Sequence, residues 1–221
     1  NRSLPLRKTA CISIGRQRQG QLFLLSLVLD EDLPQDLGFT VANILLASSD
    51  ESIRTSAGQH LRLPQTVDQV ALPPLKELVK LSGDAKRGAE VFRTTGTCAK
   101  CHQVGAIGKS VGPQLSEIGS KLSKEAIYVS ILDPSAGISH GYENYVVELK
   151  DGRVFNGLMV NELEGSITLQ TAEAIEVNVP KKEIESVQQL PVSLMPAGIE
   201  RVLTREQLID VVEYMSTLTK R

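Results

Sequence analysis

Hydrophobic residues follow two rhythms along this 221-residue chain, one helical and one alternating. Helical stripes come first. Leu37, Val41, Ile44 and Leu45 fall at i, i+4, i+7 and i+8 behind Pro34, and Ile53, Ala57 and Leu61 make a second stripe behind the cap candidates Ser49 and Asp50. Leu22 to Leu29 is apolar nearly all round, which predicts a buried helix. Arg62 to Pro74 contains three prolines and predicts a linker. Helical spacing then returns, with Ala85, Gly88, Ala89 and Phe92 at i, i+3, i+4 and i+7. Near the end, Thr204-Arg205-Glu206-Gln207 reads as a capping box. It opens a helix carrying Leu208, Val211, Val212 and Met215 on one stripe, with Tyr214 beside them.

The alternating rhythm lies between those two helices. Tyr145, Val147 and Leu149 alternate with Val146, Glu148 and Lys150, and Asp151-Gly152 then predicts a type I′ hairpin turn into a second strand, Val154 to Asn161. Ser166 to Thr171 and Ile175 to Val179 continue with period two, Pro180 ends that run, and Lys182 to Val187 makes one more short strand. A small antiparallel sheet of four or five strands is expected at about 142–190.

One stretch names a chemistry. In Cys98-Ala99-Lys100-Cys101-His102, two thiols stand at i and i+3 with an imidazole directly after the second, the spacing of covalent haem attachment. On one helical turn both sulfurs point the same way, toward the vinyl groups of one porphyrin, and His102 lies under the iron as its fifth ligand. A zinc site needs a second Cys/His pair, whereas the only other cysteine is the distant Cys11, which reads as a buried thiol, and His60 and His140 are scattered.

The order of parts around that motif resembles the class I cytochrome c family. An N-terminal helix with Gly88 and Phe92 is followed by the C-x-x-C-H motif and by Val111-Gly112-Pro113-Gln114-Leu115. A methionine loop, Ser193-Leu194-Met195-Pro196, and a last helix with Tyr214 complete the series. More closely, Gly83 to Leu218 looks like the haem-binding C-terminal domain of planctomycete-type proteins, which carries a similar β insertion. The resemblance implies one covalent haem c with its iron held by His102 and Met195. It also implies that the carbonyl of Pro113 accepts from the other ring nitrogen of His102. Gly88 would let the first and last helices cross closely, with Phe92 and Tyr214 packed around the crossing. Met195 sits in an irregular loop between prolines, whereas Met159 lies in a strand-like run and Met215 on an apolar stripe. His140 is the alternative sixth ligand. The sheet pattern is similar to small Sm-like or SH3-like barrels, and Glu51 to Ala57 looks like part of a HEAT repeat.

The expected fold is therefore mainly α with a β insertion. A HEAT-like helical-repeat fragment occupies 1–61 and a linker with a short helix 62–81. A class I cytochrome c domain occupies 82–221, and its sheet is inserted between the haem motif and the methionine loop. At most two repeats fit before residue 62, fewer than a solenoid needs, so a cut from a longer protein is expected. Arg2, Arg7, Lys8, Arg16 and Arg18 precede the Leu22–Leu29 run in the order of an export signal, but Asp30-Glu31-Asp32 follows without a small-residue cleavage site, so a folded helix is expected.

Charge refines the functional expectation. The chain is near neutral at −2, which gives no basic stripe for nucleic acid, and no run approaches the ~18 apolar residues of a membrane span. Arg93, Lys100, Lys109, Lys121 and Lys124 face a single acid, Glu117, over 93–124, while 141–190 is acidic. This predicts a basic collar that steers an acidic redox protein partner. Electron transfer in a periplasmic or otherwise exported protein is the expected function, export being what the resemblance implies for covalent haem. A haem enzyme or gas sensor with an open sixth position is one alternative. A partner-binding module with haem secondary is the other, although 4% aromatic residues supply no aromatic groove for it.

Overall fold

The computed structural model describes residues 3–220; Asn1, Arg2 and Arg221 lie outside it. Among the described residues there are nine α-helices and one five-stranded antiparallel sheet, so the chain mixes α and β structure. Three hydrophobic cores hold it together.

The first core gathers α1 (Leu4–Ile14), α2 (Arg18–Leu29), α3 (Gly38–Leu45) and α4 (Glu51–His60) around Cys11, Leu24, Leu25, Val28, Val41, Leu45, Ile53 and Ala57. Asp50 is the residue that caps α4, accepting from the Ser52 N–H at 2.9 Å. The expectation that α2 is buried all round is corrected: Phe23 and Leu29 are 55% and 48% exposed. Only the face carrying Leu24, Leu25 and Val28 is covered, because α1, α3 and α4 all pack from that side.

The segment from 62 to 81 joins the second core. Leu72 is buried there with Leu75 and Leu78 of the one-turn α5 (Leu75–Leu78), and the Val67 N–H donates to Leu203 O at 2.9 Å. The helical unit is tied to the same core. Phe39 packs on it, Asn43 Oδ1 accepts from Leu75 N at 2.8 Å, and the buried Lys8 ammonium pairs with Asp133.

The second core is built on a helix crossing. The N-terminal partner is α6 (Ala85–Arg93), and α7 (Ile118–Lys121) and α8 (Lys124–Leu132) line the flank of α9 (Arg205–Thr217). A Cβ on Gly88 would lie 1.9 Å from the Asp210 carbonyl oxygen, so only glycine allows α6 and α9 this approach. Phe92 and Tyr214 meet edge to face across the crossing, centroids 5.8 Å apart. The capping box on α9 is complete: Thr204 Oγ1 accepts from Gln207 N at 3.1 Å, and Gln207 Oε1 accepts from Thr204 N at 2.9 Å.

The third core belongs to the sheet, in the order β4-β3-β2-β1-β5: β1 (Asn144–Leu149), β2 (Val154–Glu162), β3 (Ser166–Gln170), β4 (Glu176–Pro180) and β5 (Ile184–Leu190). Val147, Leu149, Ile167, Leu169 and Val179 point to one face, as the alternation requires. The expected type I′ turn does not form. Gly152 has φ +84°, Asp151 keeps a negative φ, and Gly152 N donates to Leu149 O at 2.8 Å. The Asp151 carboxylate instead accepts from the N–H and Nε of Arg153, which favours an ordinary turn followed by one left-handed residue.

Candidate haem site

The attachment motif is one tight turn. Thr97, in the left-handed region at φ +55°, ends the approach from α6, and Cys98–Lys100 form a 3₁₀ turn. His102 N donates to Cys98 O at 2.8 Å, which closes one turn across the motif. The loop 104–115 wraps this turn, with Lys109 N donating to Ala99 O, and Val111 N and Gly112 N both donating to Cys101 O.

That wrapping orients the histidine. The Pro113 carbonyl oxygen lies 2.8 Å from His102 Nδ1; a carbonyl only accepts, so the proton is on Nδ1 and the lone pair on Nε2 is left for a metal. Gly112 is the cradle, since a Cβ there would lie 2.5 Å from Cε1 of the ring. Gly108, at φ +97°, is required similarly, its would-be Cβ falling 2.1 Å from His102 O. Burial holds the His102 pKa below its ordinary value despite the bond to Pro113, which favours the neutral, ligating imidazole.

The two cysteines are unpaired thiols. Burial pushes Cys98 up to about 11 and raises Cys101 as well. Redox-active C-x-x-C pairs carry a thiol stabilised as thiolate, whereas burial here disfavours the thiolate of both cysteines. Among the described residues no three His, Cys, Asp or Glu side chains converge as a metal-holding group, so a zinc donor set is not assembled. The donors fit a haem instead: two adjacent neutral thiols, one imidazole with a free Nε2, and a glycine cradle shaped to that ring.

The three methionines divide as their surroundings dictate. Met195 is half-buried against the same core as Cys98, Ala99, Val104 and Leu115. Its loop is pinned by Ser193, whose Oγ accepts from Met195 N at 3.1 Å and whose N–H donates to Ser135 Oγ. Met215 is buried in α9 and Met159 packs on the sheet core. His140 is fully exposed and pairs with Glu143 at 3.3 Å, and His60 is exposed at the end of α4.

The basic collar is smaller than its sequence suggests. Lys124 turns inward, donating to Glu213 at 2.7 Å and to Leu81 O at 2.6 Å, because its position on α8 faces α9. Lys109 reaches the Glu173 carbonyl, and Arg93 pairs with Glu90 at 3.6 Å. Lys100 and Lys121 are exposed. The roles of Gly108, Gly112 and the left-handed Thr97 were missed in the sequence; the glycine spacing around Val111-Gly112-Pro113 was the available signal. A cleft of about 730 Å³ lies elsewhere, beside the Arg87–Asp210 ion pair at the α6–α9 crossing.

Comparison with known families agrees with this geometry. Residues 85–156 match the family model described as Cytochrome c, a segment that contains Cys98, Cys101, His102 and Pro113 and ends within β2. A cytochrome c domain is therefore present, and its cofactor is covalently bound haem c with its iron. Met195 and α9 lie outside the matched segment. No curated protein matches the chain. Among the described residues no helix is long and apolar enough to cross a membrane.

Proposed function

We propose that the chain transfers electrons through a single haem c with His102 and Met195 as axial ligands. Haem supplies a one-electron iron couple, and the protein residues hold it. In this reading Cys98 and Cys101 anchor the porphyrin covalently, and the Pro113 carbonyl fixes the His102 tautomer. The soft thioether of Met195 would favour reduced iron and, with His102, would hold it in both oxidation states, so little would reorganise when an electron passes. The observation that carries the reading is the 2.8 Å contact between His102 Nδ1 and Pro113 O directly after the two cysteines. Support for Met195 is its half-buried place on the core that also takes Cys98, together with the exposure of His140, the burial of Met215 within α9 and the packing of Met159 on the separate sheet core.

Several finer expectations belong to the same proposal. The sheet is an insertion between the haem motif and the methionine loop of a class I cytochrome c fold, and the four N-terminal helices are a HEAT-like pair. The protein is exported, in keeping with covalent haem attachment. Its partner is an acidic redox protein that approaches Lys100 and Lys121. Acid–acetone extraction after denaturation tests the centre of the proposal. Haem held by two thioether bonds stays with the protein, and haem that extracts freely sinks the reading.

A further inference from the structure

Hydrogen bonds join the sheet to the haem-attachment segment at the β3–β4 turn. Of the hydrogen bonds described for strands β1 to β5 and their turns, those reaching residues 98–121 both come from the β3–β4 turn, Thr171 to Ile175. Cys101 Sγ lies 4.0 Å from the Ala172 carbonyl oxygen, and Lys109 Nζ donates to the Glu173 carbonyl at 3.4 Å. Glu173, the next residue of the turn, is exposed, and hydrogen bonding to Thr171 holds its carboxyl below the ordinary value, in the charged form.

The turn is also held in an unfavourable shape. Thr171 N donates to Ile175 O at 2.9 Å and Ala174 N to Thr171 O at 3.0 Å, which places Ala174 in the left-handed region at φ +66°. The β1–β2 turn has the same hydrogen-bond pattern, with Gly152 in the left-handed position. An L-residue where its sister turn uses glycine marks a backbone held in place by its surroundings.

We propose that the β3–β4 turn is the outer wall of the haem crevice at Cys101. Ala172 screens that attachment sulfur from water, and Glu173 sets a negative charge beside it that lowers the haem potential. The inference rests on 98–102 being the attachment motif. It assigns the sheet a tuning role at the haem edge without giving it a ligand.

The test is the reduction potential of the haem-loaded protein, read by spectroelectrochemistry at low and high salt. Glu173→Gln removes a negative charge that favours ferric iron, so the potential rises, and the rise shrinks as salt screens the interaction. Replacing Ala172-Glu173-Ala174 by a two-residue Asn-Gly turn admits water to the edge. Its potential falls below that of Glu173→Gln, while the ferric spectrum stays low-spin. Ala174→Gly relaxes the turn without removing the wall, so it raises the thermal midpoint and leaves the potential unchanged. If the truncated turn does not fold, Glu173→Gln decides alone through its salt dependence. A low-spin protein whose potential ignores Glu173→Gln overturns the wall but leaves the haem reading intact. A wild-type protein that carries no covalent haem overturns both.

Discussion

Gly112 lies against the His102 imidazole so closely that no side chain fits between them. A Cβ on Gly112 would lie 2.5 Å from Cε1 and 2.8 Å from Nδ1. Gly112→Ala must therefore push the ring away and stretch its bond to Pro113. Both cysteines remain, so haem still attaches, but the visible spectrum of the ferric protein shifts toward high spin. A wild-type spectrum for this variant would show that the ring orientation is not set by this contact.

Met195→Ala should abolish the weak charge-transfer band of methionine-ligated ferric haem and lower the potential, because a soft sulfur ligand is lost. Met215→Leu and Met159→Leu should keep both properties, since those side chains pack on the cores of α9 and of the sheet. A band that persists in Met195→Ala would move the ligand to Met159 or Met215, and a wild-type protein without the band would leave the sixth position open or held by a residue other than methionine.

The two neighbouring ion pairs of α1 should differ sharply in worth. Lys8 and Asp133 are nearly buried, with side chains 7% and 15% exposed, whereas Arg7 and Asp36 are 35% and 40% exposed. Lys8→Ala strands the Asp133 charge and should cost about 3–5 kcal/mol. Arg7→Ala should cost at most about 1 kcal/mol. Urea unfolding of the two variants makes the comparison, and equal midpoints would mean that Asp133 finds water or another partner.

Acid should weaken the fold through Glu213. The hydrogen bond from Lys124 holds its carboxyl below the ordinary 4.5, so the unfolded chain takes up this proton first. The stabilisation is complete above 4.5 and is lost as pH falls through the lower folded value. Asp50, lowered to about 2 by Ser52 and Arg18, extends the same loss to still lower pH. Lys124→Met should lower the thermal midpoint at neutral pH and flatten its further fall below about pH 4.5, the ordinary value for glutamate. A fall as steep as in the wild type would assign the acid sensitivity to other carboxylates.

The features legible in the sequence are those whose geometry closes within a few residues. Cys98, Cys101 and His102 needed one turn, Thr204 and Gln207 one cap, and the strands only their period of two. The role of Gly88 was legible only through the family resemblance, because helical spacing alone does not say which element crosses at a glycine. Side-chain partners were less so. The apolar run of α2 does not say which side its neighbours occupy, and five clustered bases do not say that Lys124 faces inward.

By itself the sequence determined the cofactor class, covalent haem c, and the local elements, because the attachment spacing, the strands and the caps are all local patterns. Tertiary structure alone decided what surrounds that chemistry. Lys124 finds Glu213 across 89 residues, Lys8 finds Asp133 across 125, and Ala172 reaches Cys101 across 71. Such meetings leave no periodic mark on the chain, because they follow from which faces separate hydrophobic cores must bury against one another.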